Sequence, residues 1–152
     1  MLEIVEVDHD SAPYRAIVNL RRRILRTPLG LDFTAEQLHA ERTDIHIGCY
    51  LAGALVGCVA LTPSASSEGA SLKLRQMVVD PDHRGRDIGR QILEFAEAWA
   101  LERGYIEIAL NAREAALGFY ERAGYAAQGE RFIEVTIPHR KMIKRLSLAR
   151  AP

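Results

Sequence analysis

The chain has 152 residues, of which 48% are hydrophobic and 26% charged, a composition typical of one globular domain over residues 1–152. Its 20 basic and 20 acidic residues balance, which argues against nucleic acid as a partner and confines any anion site to a local cluster. No stretch approaches the roughly 20 apolar residues of a membrane span, and the N-terminal segment 1–8 is acidic, unlike a signal peptide, so we expect a cytoplasmic protein without a membrane partner.

Hydrophobic periodicity predicts five elements in the first part of the chain. They are a strand at 2–8, a helix with Pro13 in its first turn that ends near Gly30, a helix at 34–41, and strands at 45–51 and 55–61. Asp10 or Ser11 can cap the first helix, and Thr34 with Gln37 matches a capping box for the second. The basic run 21–23 is expected on the solvated side of the first helix.

Six further elements complete the prediction. After a flexible loop at 63–69 they are a strand at 71–79, a helix from about 88 to 103, a strand at 105–110, a helix at 111–123, and strands at 125–133 and 139–146. The order βααβββαβαββ predicts an α/β domain with a mixed sheet.

The two cysteines, Cys49 and Cys58, are too few for a disulfide framework or a zinc site. If Gly53 and Ala54 turn a hairpin, the two thiols would lie opposite each other on neighbouring strands. We expect two small buried thiols and no metal.

A basic, glycine-containing turn joins the strand at 71–79 to the helix that follows. Unpaired backbone N–H groups, the positive end of the helix and three arginines meet there, which suits a phosphate-bearing ligand. Gly85 lets a ligand approach the backbone, and Gly89 keeps the first helical turn slim. The turn is neither a Walker loop nor a GxGxxG fingerprint, and an arginine-rich solvated helix start fits it too. The three arginines are Arg84, Arg86 and Arg90.

A second cluster of polar and aromatic residues lies between 109 and 125. A strand ends in Asn111, whose amide can both donate and accept a hydrogen bond. Phe119 and Tyr120 come late in the next helix, where aromatic residues are usually part of the core.

Together the two segments resemble the GNAT superfamily of acetyl-CoA-dependent N-acetyltransferases. Arg75-Gln-Met-Val-Val-Asp-Pro81 resembles its fourth strand, 84–89 its pyrophosphate loop (Gln/Arg-x-x-Gly-x-Gly/Ala), and Gly118-Phe-Tyr-Glu-Arg-Ala-Gly-Tyr125 its late helix-to-strand signature. Ile137-Pro-His139, with Met142, is further similar to the small bacterial subgroup typified by the ElaA protein. The resemblance implies a mixed, mostly antiparallel sheet of about seven strands with four helices.

The resemblance also implies roles for individual residues. In this family the fourth and fifth strands splay apart around the acetyl-pantetheine arm of acetyl-CoA, so Asn111 would contact that arm, and a backbone N–H of the fourth strand would polarise the thioester carbonyl. Tyr120 would protonate the departing thiolate as general acid. The residues implied to bind the arm through their backbone are Met77, Val78 and Val79, and those implied to hold the pyrophosphate are Arg84, Gly85, Arg86, Asp87, Ile88 and Gly89.

The implied reaction is direct attack of an amine on acetyl-CoA, without an acyl-enzyme. An amine is mostly protonated at neutral pH, so a base is needed; the candidates are His139, Glu134, Glu41 and His46, with His139 preferred at the start of the last strand. A structural role for His139 fits equally, and a water chain can replace a dedicated base. The acceptor would be a small-molecule amine or a protein amino group. The sequence leaves open whether the protein forms a homodimer.

One residue departs from the family pattern. Asp87 stands where the family has glycine, and a carboxylate is unfavourable near a pyrophosphate. Asp tolerates the left-handed backbone region and often caps helices, so we expect Asp87 to turn towards its own helix. Asp87 also favours an alternative function, a non-catalytic CoA-binding module with a regulatory role.

Overall fold

The computed structural model describes residues 2–66 and 68–147, which form seven strands and four α-helices. The elements are β1 (Leu2–Val7), α1 (Ala12–Arg21), α2 (Ala35–Ala40), β2 (Ile45–Leu51), β3 (Ala54–Ser66), β4 (Gly69–Val79), α3 (Ile88–Glu102), β5 (Glu107–Arg113), α4 (Leu117–Arg122), β6 (Ala126–Glu134) and β7 (Ile137–Arg145). The predicted order βααβββαβαββ is confirmed.

The strands form one sheet in the order β1-β2-β3-β4-β5-β7-β6. β4 and β5 run parallel and are paired from Ser71↔Glu107 to Leu74↔Leu110. The pairs β1–β2, β2–β3, β5–β7 and β6–β7 are antiparallel. The predicted mixed, mostly antiparallel sheet is therefore confirmed.

The backbone contacts divide into two compact units, the first of which is Met1–Thr62 with Arg75–Ala96. Its core combines one face of α1 with apolar residues of the strands; Ile17, Leu20, Cys58 and Val78 form one buried cluster. The Ser11 hydroxyl accepts a hydrogen bond from the Tyr14 N–H and caps α1. The predicted capping box at the start of α2 is present.

The second unit is Pro63–Leu74 with Glu97–Pro152. Its buried residues follow the strand register, with Leu110 paired to Leu74 on one side and to Met142 on the other. β6 and β7 are joined by a two-residue turn in which Val135 (φ 49°) and Thr136 (φ 62°) both have left-handed backbone angles. That geometry is favoured in tight hairpins but usually uses Asn and Gly.

Several predicted boundaries were wrong. β3 continues to Ser66 and β4 begins at Gly69, where a flexible loop was expected; Ser67 lies outside the described residues. Polar residues on an exposed hairpin end carry no hydrophobic periodicity, although their backbone can still pair. The first α-helix ends at Arg21. A π-helical turn (Arg22–Arg26) and a 3₁₀ turn (Thr27–Leu29) follow it, and Gly30 is the C-cap of the last turn.

The predicted helix at 111–123 is also shorter than expected, because Asn111 lies inside β5 and α4 begins only at Leu117. The two cysteines are buried free thiols, as expected. They are not opposite each other, because Cys49 pairs with Gly57 and Cys58 with Gly48. The register shifts between Cys49 and Tyr50, which marks an irregularity in this strand pair. No helix within the described ranges has the length and apolar character needed to cross a membrane.

Candidate functional site

The basic turn presents free backbone donors at the start of α3. Gly85 (φ 80°) and Asp87 (φ 65°) both take left-handed backbone angles there. The Gln91 N–H donates to the Asp87 carbonyl oxygen at 3.2 Å, which is the first α-helical bond of α3. The N–H groups of Ile88 and Gly89 precede that bond and so lack helical acceptors. A Cβ on Gly85 would meet no atom within 4 Å, so this side of the turn is open.

The carboxylate of Asp87 is paired with one of the three arginines, Arg90. Nε of Arg90 donates to both carboxylate oxygens at 2.8 Å, and Arg90 also donates to Glu94 at 2.6 Å. The hydrogen bonds from Arg90 lower the pKa of Asp87, which keeps the carboxylate charged. Asp87 thus turns towards its own helix, as expected. Arg84 and Arg86 are exposed and form no ion pair within residues 2–66 and 68–147.

β4 contains a distortion just before the segment implied to bind the cofactor arm. Gln76 has a left-handed backbone (φ 55°) inside the strand, and its carbonyl oxygen lies 3.8 Å from the Cys58 thiol. A left-handed residue of this kind is typical of a β-bulge, which turns the following residues. After it, Val78 is buried, while Met77 and Val79 are half-buried. Glutamine is not typical of a left-handed position, so the sequence did not predict this distortion.

Tyr120 lies in an aromatic cluster of the second unit. Its ring makes edge contacts with Phe119 (centroid distance 5.0 Å) and Tyr125 (5.7 Å). Burial raises the pKa of the Tyr120 hydroxyl, so the group keeps its proton at neutral pH. The Tyr125 hydroxyl donates to Glu97 at 3.0 Å, whereas that of Tyr120 has no hydrogen-bond partner among the described residues. A protonated, uncommitted hydroxyl is the state that a general acid requires.

Three polar side chains of β5, β6 and β7 meet on one face of the second unit. The Asn111 amide donates to Oε1 of Glu134 at 3.1 Å, and Oε2 of Glu134 lies 3.8 Å from Nε2 of His139. Nδ1 of His139 lies 2.7 Å from the carbonyl oxygen of Ile137. The structure thus brings together His139, Glu134 and Asn111. β7 begins at Ile137, so His139 lies within the last strand and not at its start.

The other two base candidates, Glu41 and His46, are committed to a buried network in the first unit. Glu41 accepts hydrogen bonds from Arg21 at 2.6 and 3.0 Å and from the Tyr14 hydroxyl at 2.7 Å. Burial alone would raise the pKa of the Glu41 carboxyl. The hydrogen bonds and positive charge of Arg21 outweigh that effect and lower the pKa. Burial lowers the pKa of His46, whose Nε2 lies 2.9 Å from the Glu41 carbonyl oxygen. We conclude that this network is structural.

Arg21 was expected on the solvated side of α1 but is only 1% exposed. A basic run normally marks a solvated face, and the carboxylate that compensates Arg21 belongs to Glu41, 20 residues away, so no local pattern indicated its burial. Among the residues that the structure describes, no three His, Cys, Asp or Glu side chains are arranged to hold a metal ion.

Comparison with known proteins identifies a family. A protein-family model described as "Acetyltransferase (GNAT) domain" matches residues 43–127. N-acetyltransferase family 8 member 3 of Rattus norvegicus is 30% identical over 116 residues, which cover 66% of this chain and 51% of that protein. The matched segments span about half to three-fifths of the length of the relatives.

Solved structures show the same fold. Escherichia coli ElaA superposes with a TM-score of 0.79 at 18% identity, over 93% of this chain and 99% of that one. An aminoglycoside 6'-N-acetyltransferase crystallised with coenzyme A superposes with a TM-score of 0.78 at 19% identity, over 98% and 99% of the two chains. At these identities the likeness concerns the fold alone.

Proposed function

Because the chain belongs to the GNAT acetyltransferase family, we propose that it transfers the acetyl group of acetyl-CoA to an amine acceptor by direct attack. The observation that carries this proposal is the Tyr120 hydroxyl, which is protonated at neutral pH and has no hydrogen-bond partner in the described part of the chain. A packing residue has no need of such a hydroxyl, and a general acid does.

The residues at the start of α3 fit the diphosphate of CoA. The left-handed Gly85 is open on the side that a Cβ would occupy, and the first-turn N–H groups precede the first helical bond. We propose that backbone N–H groups from Arg84 to Gly89 hold the diphosphate, as helix N-termini commonly do. The exposed Arg84 and Arg86 add positive charge, while Arg90 is compensated by Asp87.

The remaining roles are proposals of the same kind. Backbone groups of Met77, Val78 and Val79, after the distortion at Gln76, bind the pantetheine arm, and one N–H polarises the thioester carbonyl. Asn111 contributes to the same arm through its side-chain carbonyl oxygen or its second amide N–H, since one N–H is donated to Glu134.

In the proposed reaction the side chains of this protein transfer protons. As the amine nitrogen bonds to the acetyl carbon, the carbon–sulfur bond breaks and its electron pair stays on sulfur. The Tyr120 hydroxyl gives its proton to that sulfur, and the nitrogen returns a proton to Tyr120 through solvent. His139 is the proposed base that first takes a proton from the amine.

The test is release of free CoA thiol from acetyl-CoA in the presence of a panel of primary amines. Amine-dependent release is expected. Binding of acetyl-CoA without release by any amine would instead indicate the regulatory CoA-binding module. If acetyl-CoA neither binds nor reacts, both functions are excluded.

A further inference from the structure

The helix that carries Tyr120, α4, is too short to be stable through its own hydrogen bonds. It has six residues, and no side chain of the described residues caps its first turn. Isolated helices shorter than about 12–15 residues are marginal in water, so α4 depends on contacts from outside the helix. Its last turn closes on the Tyr120 carbonyl oxygen, which accepts the N–H groups of Ala123 at 3.1 Å and Tyr125 at 3.0 Å. A group that holds this turn therefore also holds Tyr120.

The ammonium group of Lys144, on β7, holds the end of this turn. Nζ of Lys144 donates one hydrogen bond to the Ala123 carbonyl oxygen at 2.8 Å and another to Oε1 of Glu97 at 2.9 Å. A cation at a helix C-terminus stabilises the last turn, because the carbonyl groups there carry partial negative charge. The Lys144 side chain is 28% exposed and that of Glu97 15%, so solvent and salt screen this pair less than an ion pair on the open surface.

Lys144 and Glu97 also hold the ring against which Tyr120 packs. Oε2 of Glu97 accepts the Tyr125 hydroxyl at 3.0 Å, and Nζ of Lys144 lies 5.8 Å from the centroid of the Tyr125 ring, within the range of a cation–π interaction. The Tyr120 ring contacts the Tyr125 ring edge-on at a centroid distance of 5.7 Å. Lys144 thus supports Tyr120 in two ways, through the backbone at the end of α4 and through this neighbouring ring.

We infer that Lys144 is a positioning residue for the proposed general acid: its ammonium group fixes the last turn of α4 and thereby sets the position of the Tyr120 hydroxyl for proton transfer. This inference rests on the proposed function, and it assigns Lys144 a role through Tyr120 rather than on the reacting atoms. A displacement of about 1 Å can slow a reaction about 100-fold. Loss of the ammonium group should therefore slow turnover and leave acetyl-CoA binding in place.

Lys144→Met tests the inference, because methionine keeps an unbranched apolar side chain and lacks the ammonium group. kcat and the Kd of acetyl-CoA are measured for the unmodified protein, for Lys144→Met, for Tyr120→Phe and for the double variant. We expect Lys144→Met to lower kcat about 10- to 100-fold, by no more than Tyr120→Phe does, and to change Kd less than about twofold. In the Tyr120→Phe background the same substitution should change kcat less than about twofold, because no hydroxyl is left to position.

Arg122→Met is the matched control, because it removes a positive charge from the last turn of α4 at an exposed position. It should leave kcat unchanged. The ¹³Cζ resonance of Tyr120, assigned by its loss in Tyr120→Phe, gives a second measurement that needs no turnover. Lys144→Met should shift this resonance, and Arg122→Met should not.

Four results would overturn the inference: an unchanged kcat in Lys144→Met, an equal loss of kcat in both backgrounds, a loss that appears in Kd instead of kcat, or an unchanged Tyr120 resonance. The resonance decides whether or not any amine is acetylated. If it shifts but the unmodified protein acetylates no amine, the proposed function fails and Lys144 has a structural role only. If Lys144→Met does not fold, Lys144→Gln, with a polar side chain one atom shorter, is judged by the same criteria.

Discussion

Tyr120 and Tyr125 share one aromatic cluster but differ at the hydroxyl. The Tyr125 hydroxyl is committed to Glu97, and the Tyr120 hydroxyl has no partner within the described residues. At the scale of single residues, this difference separates a group that holds the structure from one that is available for chemistry. This difference can be tested by replacing each tyrosine with phenylalanine, which removes only the hydroxyl oxygen.

Tyr120→Phe keeps the ring and removes only the hydroxyl. If Tyr120 protonates the thiolate, kcat should fall by roughly 10²–10⁴-fold with little change in acetyl-CoA affinity. A smaller loss is compatible with a thiol that leaves readily as thiolate. Tyr125→Phe is the matched control and should lower stability while sparing kcat. Unchanged turnover of Tyr120→Phe would remove this residue from the mechanism.

Asp87→Gly tests the departure from the family pattern. Glycine tolerates the left-handed angle at this position, and the substitution removes one of the two carboxylate partners of Arg90, leaving Glu94. CoA should therefore bind about two- to tenfold more tightly, measured by calorimetry, with the fold intact. Glu94→Gln, which leaves the Asp87–Arg90 pair in place, should change affinity little. Weaker binding by Asp87→Gly would reveal a positive role for the carboxylate.

At the scale of elements, the close contact between β3 and β4 depends on a glycine. A Cβ on Gly57 would lie 2.9 Å from the Val78 carbonyl oxygen and 2.7 Å from Cδ1 of Ile92. The side chain of Ile92 can move, whereas the backbone oxygen of Val78 is fixed in its strand. Gly57 therefore determines how near β3 lies to the segment that we propose binds the cofactor arm.

Gly57→Ala should lower the free energy of unfolding by about 1–3 kcal/mol, the usual cost of overpacking, and should also weaken acetyl-CoA binding. Urea denaturation and calorimetry measure the two effects. Adding Ile92→Val removes the movable contact, so the double variant shows how much of the cost belongs to the Val78 oxygen. If Gly57→Ala is as stable as the unmodified protein, the strands can separate without loss.

Hydrophobic periodicity was sufficient to predict the order of all strands and helices, because a buried face leaves its period in the sequence. It failed where the backbone pairs without burial, as at the polar ends of β3 and β4. Family motifs pointed to the turn at 84–89 and to Tyr120. They did not indicate the distortion at Gln76, the buried Arg21 or the orientation of Glu134 by Asn111, because each depends on partners distant in sequence.

At the scale of the whole molecule, ligand binding and folding are linked. A ligand that binds only the folded chain stabilises it by about 2.7 kcal/mol at a concentration 100 times its Kd. For a protein of this length that corresponds to a rise in Tm of about 5–10 °C. We expect acetyl-CoA to produce this rise in a thermal melt and pantetheine, which lacks the diphosphate, to produce much less. An unchanged Tm at millimolar acetyl-CoA would contradict cofactor binding.

The turn between β6 and β7 has a consequence for how this protein can change. Val135 and Thr136 are β-branched and take backbone angles that cost such residues free energy. The residues on either side of them, Glu134 and Ile137, supply the two oxygens that face the His139 ring. A substitution in the turn would therefore shift both oxygens at once and leave the rest of the sheet in place. If His139 is the base, as we propose, substitutions at these two turn positions should therefore change which acceptors the protein uses.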